Sequence, residues 1–437
     1  MRLITLEIKN LYGGFNETVE FDPTLNLLVG INGSGKTTVL NCIDWLLRPD
    51  LAKLASVPFD SLQLKFEHDG KEYVILAKQD KTKLTFSEEA GNFGGAKPIT
   101  VAFVKNPREV SSDSDMAELY VLYKNLSPEP HERKLWKAIH ELPHPLTISL
   151  DRSISAEVEE DVYFEIGIKQ RVKKIQKTKS PLEKVIDVTR NRHIEYRRDI
   201  FDLNEKLKSR LVISAFKSPI PNRRLSNNTK KITLTEIARL ERKVTSLISS
   251  SLGIDDGSEI EEYFSSAKQF AKASESDAAF RPIFLSHFKH LDELVAAFDE
   301  YEQKSTQAFV ALGSYLRALN SFFVDSKKTI GFNEVDGTLG FKFIDKKGSE
   351  TGAYRSVDRL SSGERQIVIL LTFLAFVSES DRVFVVDEPE LSLHPKWQQN
   401  FLGAILSQAP PDTQIILATH SPEIVAKHRD KCIVLGA

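Results

Sequence analysis

A chain of 437 residues has the length of two or three domain-sized units, and 41% hydrophobic residues are enough to bury a sizeable core. A formal net charge of −2 sets up no whole-chain field toward nucleic acid or membrane, and 27% charged residues are ordinary for a globular protein in water. Two cysteines, Cys42 and Cys432, are too few for a disulfide framework; they point to a reducing cytoplasm and to buried thiols. The start, 1–10, alternates apolar and polar residues like a strand and lacks the basic and apolar regions of a signal peptide. The longest apolar stretch, 367–377, is too short to span a bilayer, so no membrane partner is expected.

In chain order, residues 1–151 read mainly as strands: near 3–8, 19–21, 25–29, 62–66, 73–75, 101–104 and 146–150, with a hairpin turn at 68–70. One helix should follow a glycine-rich loop at 30–36. Across 152–327 the period changes. After an unassigned stretch near 162–168, helical spacing of Leu182, Val185, Ile186, Ile200, Leu203 and Leu207 predicts a helix over 181–216. Helices follow at 232–252, 260–272 and 282–323, with a Pro-, Asn- and Ser-rich break at 218–228. Across 328–437 strands return at 329–332 and 339–343. A helix over 363–377 leads to a strand at 382–386, then a helix at 395–408, a strand at 414–418, a short helix and a last strand near 432–435. The expected fold is α/β, one core split by a helical insertion.

Gly30-Ile31-Asn32-Gly33-Ser34-Gly35-Lys36-Thr37 fits the P-loop pattern G-x-x-x-x-G-K-[ST] between a strand and a helix. Glycines let backbone N–H groups curl around phosphate oxygens, and the following helix turns its N-terminus to negative charge. The expected ATP-binding set is Gly30, Asn32, Gly33, Ser34, Gly35, Lys36, Thr37 and Thr38, with Lys36 on the β- and γ-phosphates and the Thr37 hydroxyl on Mg²⁺. The apolar run 382–386 ends in Asp387-Glu388, a Walker B arrangement, in which Asp387 should hold Mg²⁺ and Glu388 should act as general base. The strand 414–418 ends in Thr419-His420, and ligands bind beyond the carboxyl ends of parallel strands, so His420 is expected to sense the γ-phosphate.

Leu360-Ser361-Ser362-Gly363-Glu364-Arg365-Gln366 resembles the LSGGQ signature of ABC-type ATPases, with Ser362 where that consensus has glycine. Read on its own, the stretch also fits a helix N-cap. P-loop, signature, Walker B and histidine stand in the ABC order. The resemblance implies an ABC-type P-loop ATPase core, a mixed sheet with flanking helices, with lobes at 1–151 and 328–437 and an insertion at 152–327. It further implies that Ser361 and Gly363 contact the γ-phosphate bound on a partner subunit, and so a homodimer or higher homo-oligomer. The run 390–395 resembles the D-loop of the group, which would set Ser392 and His394 near the dimer interface. No Q-loop glutamine follows 146–150; Asp151-Arg152 stands there instead.

Lys36 and Ser361 lie 325 residues apart, which resembles the SMC/RecF group, as does the opening 8–15 with Tyr12 where many members carry a basic residue. The string 387–395 resembles the ATPases of bacterial anti-phage defence, the OLD-type nucleases and the PtuA ATPase of Septu and some retron systems. That resemblance implies an ATPase whose ATP-dependent dimerisation regulates a separate effector, a nuclease. OLD proteins carry a Toprim nuclease domain after the ATPase, for which the 17 residues after His420 leave no room. A RecF-like DNA repair or maintenance ATPase, and a scaffold that holds ATP with negligible turnover, stay open as alternatives. The segment 169–231 carries 19 Lys or Arg against 6 Asp or Glu, a local excess that suits nucleic acid or equally a solvated or partner-docking face.

Overall fold

The computed structural model describes residues 1–110, 113–124, 128–148, 154–155, 180–215, 234–247, 258–274, 281–378 and 382–436. The stretches 162–168 and 218–228, Asp151-Arg152, and both ends of the basic segment, Arg223 and Arg224 included, lie outside the described residues. The chain forms two compact units, one of Met1–Asn191 with Ser314–Ala437 and one of Arg192–Gly313. The second lies inside the 152–327 stretch assigned to the insertion.

The first unit begins with strands β1 (Arg2–Leu11), β2 (Phe15–Glu20) and β3 (Leu25–Val29), then helices α1 (Lys36–Leu47) and α2 (Leu51–Ser56). Strands β4 (Ser61–His68), β5 (Lys71–Gln79), β6 (Lys83–Glu88) and β7 (Ile99–Ala102) follow, then α3 (Asp113–Tyr123), α4 (Arg133–His140), β8 (Leu146–Ile148) and β9 (Ile154–Ser155). Helices α5 (Pro181–Ala215), α6 (Leu234–Leu247), α7 (Ser258–Ser274) and α8 (Arg281–Phe323) come next, and the division between units falls within α5 and α8. The first unit resumes with β10 (Lys328–Phe332), β11 (Leu339–Ile344), β12 (Glu350–Ser356), α9 (Ser362–Thr372), β13 (Val383–Asp387), α10 (Pro395–Gln408), β14 (Gln414–Ala418), α11 (Pro422–Val425) and β15 (Cys432–Val434).

Its centre is a sheet of order β15-β3-β14-β13-β8-β9, parallel except at β8–β9. Strands β13 and β14 are buried along their whole lengths, which is why they read as unbroken apolar runs. Their alternation decides which core each side chain joins. Val383, Val385, Ile416 and Ala418 pack with α1 and the antiparallel sheet β2-β1-β4-β5-β6-β7. Phe384, Val386, Ile415 and Leu417 pack with α9, α10 and the end of α8. The two cores thus clamp the central sheet, and all three strands that bear functional motifs point their carboxyl ends the same way. The three-stranded sheet β10-β11-β12 adds Ile330, Leu339 and Phe341 to the second core.

The structure departs from the sequence expectation in several places. Helices α2, α3 and α4 interrupt the strand-rich start; α2 is short and almost wholly buried, and α4 buries Leu135 and Ile139. The strand expected at 101–104 is β7, shifted earlier, and Val104 is exposed. Strand β12 is exposed along most of its length, so no apolar alternation announces it. The helix expected over 363–377 is α-helical only to Thr372 and continues as a π-helical turn over Phe373–Val377, closed by the Ser378 N–H donating to the Phe373 carbonyl at 2.7 Å. At that junction the buried Thr372 hydroxyl shares a 2.6 Å hydrogen bond with Tyr315 of α8. In the second unit, α6 and α7 bury Ile237, Phe264 and Ala271 against Val295 of α8.

Phe384→Ala removes a fully buried ring from the second core and should destabilise the first unit by about 3–5 kcal/mol. Denaturant titration followed by tryptophan fluorescence reads this unit alone, because Trp45, Trp136 and Trp397 all lie in it. Val335→Ala, at a side chain 91% exposed, should stay within about 0.5 kcal/mol of the parent.

Candidate functional site

Strand β3 hands the chain to the glycine loop, and the loop to α1. Gly35 ends the loop at φ 94°, a left-handed conformation, as the N-cap of α1 with no side-chain capping bond, which leaves the first N–H groups of the helix to the loop's mouth. A Cβ there would lie 2.4 Å from the Phe15 ring of β2, so the position takes glycine on both counts. The Lys36 side chain crosses the loop, donating to the carbonyls of Gly30 and Ile31 at 3.1 Å and to the Ser34 hydroxyl at 3.4 Å. Burial pushes its ammonium below the ordinary lysine range, against the opposing pull of Glu388, Asp387 and Glu390. Asn32, Gly33 and Thr37 are exposed on the rim, and Thr38 is half-buried.

The Thr37 hydroxyl donates to Asp387 Oδ2 at 2.9 Å, linking the first turn of α1 to the end of β13. Burial pushes the Asp387 carboxyl up, Thr37 pulls it down, and the charges of Glu388 and Glu390 push it up further. Its second oxygen, Oδ1, is buried with no hydrogen-bond partner. A hydroxyl and an unsatisfied carboxylate oxygen side by side, at a loop that favours phosphate, fit Mg²⁺, a hard cation that takes few protein oxygens and completes its shell from water and phosphate. Among the described residues no group of three or more His, Cys, Asp or Glu side chains is arranged to hold a metal.

Glu388 follows at φ 47°, its N–H donating to the Ala418 carbonyl at 2.8 Å. His420, just past β14, brings Nε2 to 3.8 Å from Glu388 Oε1. Glu390 ties the two loops together: Oε1 accepts the His420 N–H at 2.5 Å and Oε2 the Thr419 hydroxyl at 2.9 Å. In the sequence Glu390 belongs only to a D-loop-like string; its one local mark is a carboxylate two residues past the Walker B pair.

Ser361 is the N-cap of α9 in a capping box. Its hydroxyl accepts the Glu364 N–H at 3.4 Å and its own N–H donates to Glu364 Oε2 at 2.8 Å. Lys328 of β10 donates to both Glu364 oxygens, at 2.7 and 2.8 Å. Burial alone would raise the Glu364 carboxyl, but Lys328 and Ser361 outweigh it and hold the group below the ordinary range. This pair joins residues 36 apart and left no trace in the sequence reading. Gly363 is pressed against the loop after β13: a Cβ there would sit 2.2 Å from the Ser392 carbonyl oxygen. Gln366 Nε2 donates to the Pro389 carbonyl at 3.0 Å. The structure thus gathers Lys36, Thr37, Asp387, Glu388 and His420 at the ends of β3, β13 and β14, and docks Gly363, two residues past Ser361, on the 388–393 loop of the same chain. Ser392 stands at φ 69° behind Gly363, His394 caps α10, and Tyr12 is exposed at φ 56° with its N–H on the Pro58 carbonyl.

A strand–glycine loop–helix unit, a histidine just past the neighbouring parallel strand, and acidic residues ending the strand beyond it define an ABC-type P-loop ATPase core. The chain belongs to the AAA ATPase domain family, whose model matches residues 1–425. It is 25% identical to "Retron Vc95 probable ATPase" of Vibrio cholerae serotype O1 biovar El Tor over 247 residues, 46% of this chain and 46% of that protein. It is 28% identical to "OLD nuclease" of Thermus scotoductus over 121 residues, 24% of this chain and 23% of that one. It is 36% identical to "DNA repair protein RAD50" of Saccharomyces cerevisiae over 87 residues, 19% of this chain and 6% of that one. The chain therefore matches less than half the length of each of these relatives. A solved Smc head domain with an extended coiled coil, bound to the C-terminal domain of ScpA, from Pyrococcus furiosus, aligns over 97% of this chain and 91% of that one, with a TM-score of 0.37 and 14% identity.

A carboxyl whose folded-state pKa is raised favours the folded state while protonated, and that contribution is lost as pH rises through the folded value. Asp387→Asn should therefore melt higher than the parent at pH 7 without nucleotide or metal, with the gap shrinking on acidification, while Mg²⁺-dependent ATP binding is lost. Thermal melts across pH 5–8 check the sign; a variant less stable than the parent at pH 7 contradicts it.

Proposed function

We propose that the chain binds and hydrolyses ATP in composite sites formed by two copies, and that ATP-dependent pairing regulates a separate nuclease effector in anti-phage defence. The observation that carries the catalytic reading is the convergence of Thr37, Asp387, Glu388 and His420 beside Lys36. In this reading the loop amides and Lys36 hold the β- and γ-phosphates. Thr37 and Asp387 hold Mg²⁺, which when bound offsets phosphate charge. Glu388 orients and deprotonates the attacking water, and His420 contacts the γ-phosphate. Gly363 rests on the 388–393 loop of its own chain, and with Ser361 it caps a partner's nucleotide. The likeness to a retron ATPase and to an OLD nuclease supports the defence role, and the cysteine usage supports a cytoplasmic setting.

A DNA repair or maintenance role is the second reading. It is favoured by the RAD50 likeness and by the exposed Arg190, Arg192, Arg197 and Arg198 of α5, within the basic 169–231 segment. Phosphate contacts there would make nucleic-acid affinity fall steeply with salt. In the native host, Lys36→Ala should abolish protection against phage; unchanged plaquing with new sensitivity to DNA damage favours the second reading instead.

Glu388→Gln should keep ATP binding, slow turnover about a hundredfold or more, and trap ATP-bound dimers, whereas Lys36→Ala should weaken binding itself. Normal turnover by Glu388→Gln contradicts its role as base, and with base intact and turnover absent in the parent the chain is a scaffold.

Mixing Lys36→Ala with Ser361→Arg subunits tests the composite site. One site of the mixed pair carries both defects and the other carries neither, so partial activity should return. A fully active monomer contradicts the shared site.

A further inference from the structure

Beyond Ala418 the β13–β14 ladder ends, and the last main-chain bond joining the two strand ends is the Glu388 N–H to the Ala418 carbonyl. The chain past that point carries His420, and the Glu390 carboxylate is what holds it. Both of its oxygens are engaged, one by the His420 N–H at 2.5 Å and one by the Thr419 hydroxyl at 2.9 Å. That hydroxyl also accepts the Ser421 N–H at 3.0 Å, and Thr419 is fully buried. The next turn is fixed independently, since the Ser421 hydroxyl donates to Gln398 Oε1 at 2.7 Å. Glu390 is thus an additional rung, made by a side chain, between the loop that bears Glu388 and the loop that bears His420.

We propose that Glu390 is a positioning residue for His420: acting through the histidine main chain, its carboxylate sets the imidazole 3.8 Å from Glu388. Its two oxygens are each committed to the strand-end loop that carries His420, so its part is structural support of that loop. The proposal rests on the reading of Glu388 and His420 given above. Anchoring by two hydrogen bonds to a carboxylate, one of them from a buried hydroxyl, is strong enough to decide where a loop sits. A displacement of about 1 Å at a reacting group costs rate rather than affinity.

The test is a kinetic cycle on the full-length chain. Glu390→Ala should lower kcat about 10- to 100-fold with KM for ATP within about twofold of the parent. In a His420→Ala background the same substitution should change kcat less than about twofold, because the group it positions is gone. Glu390→Gln, which keeps one acceptor but sets an amide against the other donor, should fall between. If Glu390→Ala does not fold, Thr419→Val removes one of the two anchors at nearly constant volume and should show the same dependence on His420, with a smaller loss. Equal losses with and without His420, or a raised KM with kcat intact, overturn the positioning role while leaving the site reading in place. Normal turnover by His420→Ala overturns the site reading, and this proposal with it.

Discussion

The 2.9 Å hydrogen bond from Thr37 to Asp387 spans 350 residues of sequence and makes one site from two lobes. It forms because β3, β14 and β13 lie side by side in parallel, so that their carboxyl ends meet. That alignment in turn depends on two cores, one on each face, sorted by the two-residue period of the strands. The helical unit can be inserted between the lobes without disturbing this arrangement, because β8 on one side and β13 on the other pair directly.

The site is electrostatically costly before any ligand arrives. Asp387, Glu388 and Glu390 surround one buried lysine, and burial shifts Lys36 and Asp387 toward their neutral forms. Asp387 Oδ1 has no protein partner. Such groups persist where a ligand supplies the missing charge, and the same features that destabilise the free chain tighten binding of a cation with a polyphosphate.

The motifs were legible because each is local: a glycine pattern, an apolar run ending in Asp387-Glu388, a strand ending at His420. Strands buried on both faces announce themselves as continuous apolar runs, and β3, β13 and β14 were read for that reason. What the sequence concealed was long-range or weakly patterned. Helix α3 is barely amphipathic, and α4, though its apolar face is marked, is only eight residues long. The π-helical turn after α9 sits beside the Thr372–Tyr315 hydrogen bond, across 57 residues. The Lys328–Glu364 pair and the Glu390 bridge join residues whose proximity only the folded sheet creates.

At Ser361 the N-cap geometry leaves the signature reading open. Its hydroxyl caps α9, Glu364 returns the bond, and Lys328 fixes Glu364 in turn. The N-cap reading is thus satisfied within the chain. The same cap exposes the first turn of an apolar, buried helix at a fixed angle, and Gly363 seats that turn on the Ser392 carbonyl with no room for a side chain. A helix start so braced cannot swing toward a ligand without breaking the buried ion pair and its contact with the 388–393 loop. On the proposed mechanism that rigidity is useful: the signature surface is presented ready-made, and a second copy has to bring the nucleotide to it. Moving the 388–393 loop in one site would then shift the signature offered to the other, since Gln366 and Gly363 both rest on that loop.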